Sequence, residues 1–342
     1  MRNNLKKFMA AVLGTTMILA GCATPAATTT AGSSAGAATT AAAKAKYKVG
    51  ILQFVQHGAL DDANRGFVDG LAKAGFKDGD NVSIDQMNAQ GDQANLKNIA
   101  DKFVNDKVDL ILAIATQAAQ SAANATKDIP VLATAITDFV AAKLVQSNEK
   151  PGGNVTGTTD MASTKAQMEA MMKLLPNVKT VGLMYTSSEV NSQVQADAAK
   201  VILAEMGVTV KEVTISTVND IQEAAQSLMG KVDAIYVPTD NIISSAMPTL
   251  AKVTEANNIP VMVGAETMVN DGGIMSLAVD YYAIGFQTGT MAGKILKGEA
   301  KPADIPVEAQ KEYTLVINKG VADKLGITIS EELLKTAKLI NE

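Results

Sequence analysis

From Tyr47 onward, short apolar runs alternate with stretches whose apolar positions recur at helical spacing. Val49-Gly50-Ile51-Leu52 predicts a buried strand, and Phe67, Val68, Leu71 and Ala74 then mark one face of a helix that Gly75 stops. Residues 82–86 predict the next strand, and Leu96, Ile99, Ala100, Phe103 and Val104 the next helix face. The near-continuous apolar run at 109–115 suits a strand covered on both faces. Another helix leads to Ile129-Pro130-Val131-Leu132. A β-α-β-α-β order of this kind builds a parallel sheet with helices packed on it.

The second half returns to the same landmarks. Val181-Gly182-Leu183-Met184 lies 132 positions after the first strand. Val232-Asp233-Ala234-Ile235 lies 124 after Val108-Asp109-Leu110-Ile111, and Ile259-Pro260-Val261 lies 130 after Ile129-Pro130-Val131. Three landmarks in constant order predict an α/β fold of two Rossmann-like lobes with parallel sheets and a ligand cleft between them. Open parallel sheets bind ligands beyond the carboxyl ends of their strands, so the residues after each strand are the candidates. In the first lobe these are Phe54 and Gln56, Thr116 and Gln117, and Thr137, Asp138 and Phe139. In the second they are Tyr185, Ser187, Ser188 and Asn191, then Thr239, Asp240 and Asn241, then Glu266. Asp160 and Asp280 follow segments expected to cross between lobes.

Helix starts at these loops would expose N–H groups and a partial positive charge suited to a carboxylate, with Ser187, Ser188 and Asn191 as added donors. Thr186-Ser187-Ser188-Glu189 also fits a plain capping box for the helix carrying Val190, Val194, Ala198, Val201 and Ile202. Asp138, Asp160, Asp240, Glu266 and Asp280 could each hold an ammonium group, and each equally suits a cap or a solvated surface. Phe54 and Phe139 fall in polar loops of a chain with only 4% aromatic residues and no Trp. Their rings can stack on an aromatic ligand or fill the core.

Composition narrows the chemistry. At 342 residues the chain is about twice a ~150-residue domain, and 47% hydrophobic residues suffice for a sizeable core. Lys and Arg number 30 against 35 Asp and Glu, which leaves no electrostatic footprint for nucleic acid. One Cys and one His exclude an internal disulfide, a thiolate cluster and a multi-histidine metal site, and no cofactor is implied. His57 reads as a lone structural or surface residue. Met168, Met171, Met172 and Leu175 at helical spacing predict core. No G-x-S-x-G elbow, P-loop or G-x-G-x-x-G occurs, so the chain reads as no enzyme.

The first residues read as an export signal. Arg2, Lys6 and Lys7 precede an uncharged run of 13 residues at 8–20, short of the ~20 a membrane span needs. It ends in Leu19-Ala20-Gly21-Cys22, which resembles the bacterial lipobox and makes the only Cys an acyl acceptor. Removing 1–21 leaves 27 basic and 35 acidic residues, so the membrane tie is expected to be the lipid and not a basic patch. Residues 23–46 are almost all Ala, Thr, Ser and Gly and predict a spacer, flexible or locally helical.

Several segments carry a resemblance. Gln56-His57-Gly58-Ala59-Leu60-Asp61, Asn88-Ala89-Gln90-Gly91-Asp92, Ala135-Ile136-Thr137-Asp138, the stretch Tyr185 to Ser192, Val237-Pro238-Thr239-Asp240-Asn241 and Asp280-Tyr281-Tyr282 occur in order. Together they resemble the substrate-binding lipoproteins of ABC transporters, in particular the group associated with tryptophan and tyrosine uptake. Family members typically show Pro where Gly58 and Val190 stand, and often where Phe139 stands. The resemblance implies a type I periplasmic-binding fold that closes around a small ligand. It places a first lobe at 47–157 plus 281–304 and a second at 158–280 plus 305–342. It also implies an extracytoplasmic, lipid-anchored, monomeric receptor that hands an amino acid, an aromatic one by the loop chemistry, to an ABC permease. A stand-alone ligand sensor with a membrane partner, or a receptor for a different small solute, fits the same residues.

Overall fold

The protein's structure, a computed structural model, describes residues 47–341. The expected leader at 1–21, Cys22 and the spacer up to residue 46 lie outside the described residues.

The chain begins with β1 (Tyr47–Gln53), α1 (Gly58–Lys73), β2 (Val82–Asn88) and α2 (Gln93–Asn105). It continues with β3 (Leu110–Ile114), α3 (Thr116–Ala125), β4 (Val131–Ile136) and β5 (Val155–Thr159). β3 and β4 are almost wholly apolar and bury every residue, because helices cover both their faces. β2, at the sheet edge, keeps Asp85 and Gln86 in solvent. Next come α4 (Thr164–Leu174), β6 (Thr180–Thr186), α5 (Val190–Glu205), β7 (Thr209–Ile215) and α6 (Ile221–Leu228). β8 (Ala234–Val237), α7 (Asn241–Ser245), α8 (Met247–Ala256), β9 (Val261–Val263), α9 (Glu266–Asn270) and β10 (Met275–Ala278) follow. The chain ends through α10 (Tyr281–Leu296), β11 (Glu308–Ala309), β12 (Thr314–Asn318), α11 (Lys319–Lys324), α12 (Glu331–Thr336) and β13 (Lys338–Ile340).

Two sheets result, ordered β11-β5-β4-β3-β1-β2 and β13-β12-β10-β9-β8-β6-β7. Position for position, β5-β4-β3-β1-β2 and β10-β9-β8-β6-β7 are the same arrangement, which is the repeat visible in the sequence. All pairings are parallel except that of β10 with β12. Two lobe boundaries differ from expectation. β5 stays in the first sheet through Thr159, and β11 pairs Glu308 with Thr158 and Ala309 with Thr159. Edge pairing through backbone hydrogen bonds decides this, and the polar stretch around Glu308 gives no hydropathy signal for it.

The apolar interior forms two clusters. One runs from both faces of the first sheet to the α6 and α8 side of the second. The other lies on the opposite face of the second sheet and contains Met168 and Met171, the expected core stripe of α4. No helix among the described residues is long and apolar enough to cross a membrane.

α10 packs against α1, β4 and β5, far from its neighbours in sequence. Its approach to α1 is close enough that backbone meets backbone. A Cβ added at Gly66 would stand 2.1 Å from the carbonyl oxygen of Tyr282, and one at Gly285 would stand 2.0 Å from that of Ala63. In an isolated helix Ala is favoured over Gly by about 1 kcal/mol. Here Gly66→Ala should instead destabilise the protein by about 1–3 kcal/mol, the usual cost of overpacking. Urea unfolding of the variant checks this, and a more stable variant would show that α1 and α10 do not touch at this distance.

Candidate functional site

The carboxyl ends of both sheets face one another, and the loops that leave them enclose a small cavity of about 10 Å3. The first lobe's side contributes His57 after β1, Leu60 of α1, Ala135 and Thr137 at the end of β4, Asp160 after β5, and Tyr281 of α10. From the second come Asn191, Thr239, Asp240, Asn241, Ser244 and Ala265. Four side-chain contacts cross the gap directly, one of them from Gln195 Nε2 to Thr137 Oγ1 at 3.5 Å. Thr137 Oγ1 lies 3.1 Å from Thr239 Oγ1, Gln117 Nε2 donates to Asn191 Oδ1 at 3.3 Å, and His57 Nε2 meets Asn241 Oδ1 at 3.3 Å. Asn241 Oδ1 can only accept, so His57 carries its proton on Nε2 and turns a lone pair outward on Nδ1.

Wider grooves open on the surface, one of them between α2, α3 and the chain at 142–155. The polar atoms that lack partners nevertheless gather at the cleft. His57 Nδ1, Thr116 Oγ1, Gln117 Oε1 and Asp160 Oδ1 are buried without a hydrogen bond, and only Ser276 Oγ in β10 shares that condition among the described residues. Buried polar groups are nearly always satisfied, so four at one place mark a site shaped for something else. Backbone strain coincides with it. Ala115, just before α3, has φ 81°, and Ala135 has φ 56° where the register between β4 and β5 shifts. Non-glycine residues held there cost about 1–3 kcal/mol and cluster at binding sites. No side chain caps α3, so its first turn offers free N–H groups toward the cleft.

Three buried acids surround this cavity in different states. Asp160 Oδ2 accepts from the Tyr281 hydroxyl at 2.9 Å, while its Oδ1 has no partner. Burial pushes its carboxyl pKa up, against the lowering effect of the Tyr281 bond. Asp240 is saturated: its oxygens accept from Thr186 N at 2.6 Å, Thr186 Oγ1 at 2.8 Å, Ser192 Oγ at 2.8 Å and Ile243 N at 2.9 Å. Glu189 likewise takes only N–H donors; burial and the neighbouring Asp240 charge push its carboxyl pKa up, and the bonds from Asn191 and Asn241 oppose that rise. Among the described residues no group of three or more His, Cys, Asp or Glu could hold a metal ion.

Of the candidates read from the sequence, Thr137, Asp160, Asn191, Thr239, Asp240 and Asn241 line the cavity. Thr116 and Gln117 adjoin it through the Gln117–Asn191 bond. The others lie elsewhere. Phe54 and Phe139 are core residues, 2% and 0% exposed, because the strand-end turns fold their rings inward; neither can stack on a ligand in the cavity. Gln56, Ser187 and Ser188 are exposed, and α5 starts at Val190 with Glu189 as its N-cap, without the expected capping box. Asp138 caps a turn by accepting from Val140 N and Ala141 N, both at 2.9 Å. Tyr185 points to the other face of its sheet, where its hydroxyl donates to Glu212 at 2.5 Å. Glu266 pairs with Lys338 at 2.6 Å, and the exposed Asp280 caps α10. Asp240, finally, has no oxygen left for an ammonium group. The sequence reading missed His57, Tyr281, Ser244 and Glu189. For His57 the signal was its place two residues beyond Val55 in the strand-end loop of β1; its isolation as the only His argued against catalysis and not against binding.

Two lobes of like topology, closed over a polar cavity that retains unpartnered atoms, define a solute-binding protein. The chain belongs to the ABC transporter substrate binding protein family, whose model it matches over residues 48–340. It is 41% identical over 344 residues to the tyrosine-binding protein of Clostridioides difficile strain R20291, covering 98% of each chain. The crystal structure of an ABC domain in complex with L-Trp from Streptococcus pneumonia superposes with a TM-score of 0.84 at 44% identity, over 86% of this chain and 99% of that one. A ligand-free, open substrate binding protein with adhesive properties from Clostridium difficile shares the same 44% identity and coverage of 86% and 99%, but superposes at only 0.66. The lobes therefore stand as in the liganded relative, in agreement with the four contacts across the cleft. The fold is that of type I periplasmic binding proteins.

The buried imidazole makes the closed protein sensitive to acid. His57 keeps part of its surface in solvent, but burial around the ring lowers its pKa to about 4 against the opposing effects of Asn241 and Asp61. An unfolded chain protonates this residue near pH 6.5, so folded stability is full above that value and is lost as pH falls from 6.5 towards 4. His57→Asn should remove this dependence. Wild type should lose about 1–3 kcal/mol relative to the variant between pH 7 and 4, as read by denaturant unfolding at each pH. Parallel pH profiles for the two proteins would show the imidazole to be solvated.

Proposed function

We propose that this protein is an extracytoplasmic receptor, anchored through a lipid on Cys22, that binds an aromatic amino acid in the cleft and delivers it to an ABC permease. One observation carries the ligand class: Asp160, a cavity-lining carboxylate with a buried oxygen that no group in the protein satisfies. An ammonium group supplies the missing donor and the missing charge. His57 Nδ1, in the same cavity, and Gln117 Oε1 are further acceptors, and an ammonium has three N–H bonds to give. The Thr116 hydroxyl and the uncapped start of α3 suit the carboxylate at the other end of a zwitterion. With both phenylalanines in the core, the side chain meets Leu60, Ala135, Ala265 and the ring of Tyr281. The tyrosine-binding and L-Trp-bound relatives support the aromatic reading. The lobes, taken as 47–160 with 281–309 and 161–280 with 310–341, act in this reading as the two bodies that open and close.

Calorimetric titration of ligand-stripped protein against the twenty amino acids, nucleosides and simple sugars tests the assignment. Tyrosine, tryptophan or phenylalanine should bind far more tightly than glycine or alanine, since burying a ring of 150–250 Å2 contributes roughly 4–6 kcal/mol before association costs. Binding of a nucleoside or sugar with no amino acid response would sink it. Asp160→Asn should weaken amino acid binding by about 2–5 kcal/mol, the cost of removing one partner of a buried charge pair. The same change should leave the ligand-free protein at least as stable above pH 4. Burial raises the folded pKa of Asp160, so its contribution to stability is present below the unfolded value of 3.8 and is lost as pH rises. Ser188→Ala, at an exposed position, should bind like wild type.

The anchor has its own test. Cys22→Ser should release the protein from the membrane fraction or block maturation, and unchanged detergent partitioning with unchanged processing would count against lipidation.

A further inference from the structure

Two of the four contacts across the cleft end on amide oxygens of the second lobe, and one carboxylate holds both amides from behind. Glu189 is 1% exposed and stands at the start of α5. Its Oε2 accepts from Asn191 Nδ2 at 2.8 Å, Asn241 Nδ2 at 2.6 Å and Asn241 N at 3.1 Å, and its Oε1 accepts from Ile242 N at 3.0 Å. An amide that gives its NH2 to Glu189 must turn its oxygen away from it. Those oxygens are the ones that face the first lobe: Asn191 Oδ1 receives Gln117 Nε2, and Asn241 Oδ1 receives His57 Nε2, each at 3.3 Å.

We propose that Glu189 is a positioning residue for lobe closure, orienting Asn191 and Asn241 so that their oxygens latch onto Gln117 and His57 and hold the cleft shut over its solute. The chemistry requires a carboxylate. Burial and Asp240 favour the neutral acid, but only the ionised carboxyl group, which accepts at both oxygens and donates nothing, can take all four N–H donors at once. Glutamine would place an NH2 against one of those donors and turn an amide around. Aspartate keeps the charge but is one methylene too short to reach both the α5 and the α7 loops. No cation pairs with Glu189 among the described residues, so its charge rests on these donors and on the positive end of the 16-residue α5. Purely structural bracing within the second lobe is the competing role, because Glu189, Asn191 and Asn241 all belong to it. The two roles differ in what they do to release across the cleft.

The inference takes the cleft of the proposed function as the solute site, and its test is a cycle of Glu189→Gln, Gln117→Ala and the double variant in the full-length chain. The first readout is the release rate of radiolabelled L-tyrosine; the second is amide hydrogen exchange at 116–118 and 241–243 in ligand-free protein. Glu189→Gln should speed release tenfold or more and raise exchange at both segments, while Gln117→Ala speeds release several-fold. The double variant should release no faster than Glu189→Gln alone, because the Gln117 latch is already lost. Release within twofold of wild type, or effects that multiply in the double variant, would overturn the positioning role. If Glu189→Gln does not fold, Glu189→Asp takes its place: fast release supports the latch, and wild-type release shows that charge alone suffices. Should wild type fail to bind tyrosine, the aromatic assignment falls, and the exchange rates still decide the latch.

Discussion

A polar atom buried without a partner costs about 1–3 kcal/mol, and this protein holds four of them at one place. His57 Nδ1, Thr116 Oγ1, Gln117 Oε1 and Asp160 Oδ1 are exposed to water if the lobes part and desolvated when they meet. Closure over nothing must therefore be sustained by thin contacts, four cross-cleft hydrogen bonds of 3.1–3.5 Å. Closure over a zwitterion replaces the penalty with charge-assisted bonds. The difference between those two states is the free energy with which a solute can drive the lobes together.

Burial by itself assigns no role to an acid here; the number of donors around it does. Asp240 and Glu189 each receive four hydrogen bonds and are internally complete, so they shape loops. Asp160 receives the Tyr281 hydroxyl on one oxygen and leaves the other bare, so it can take up a ligand. Three carboxylates of nearly equal exposure thus divide into two that build the site and one that is free to bind in it.

The scaffold that brings these groups together rests on a long-range contact. α10 returns from the second lobe to lie on α1 at a distance only glycine allows, and it delivers Tyr281 to Asp160 across 121 positions of sequence. Its glycines weaken the helix as a local element and strengthen it as a packed one. The strained Ala115 and Ala135 show the same trade at the ends of β3 and β4, where backbone conformation is set by what the cleft needs.

Read alone, the sequence determined the elements, the repeat, the parallel sheets and the existence of a cleft at the strand ends. Those follow from hydrophobic periodicity, which is local, and from topology rules that leave few ways to arrange such units. It also pointed to the right segments for binding: every loop predicted to face the cleft supplies a residue at or beside it, Ala265 in the case of the loop at Glu266. Which residue of each loop faces inward was not legible. Phe54 and Phe139 turned into the core while His57 and Thr137, in the same loops, turned to the cavity. Ser187 and Ser188 turned to solvent while Glu189 was buried. A loop has no period from which to read direction, so the packing of the neighbouring lobe decides which side chains it presents. Tyr281 met Asp160, and Asn191 met Gln117, only once both lobes were in place. Those contacts belong to the tertiary structure because each partner is satisfied by a group far along the chain.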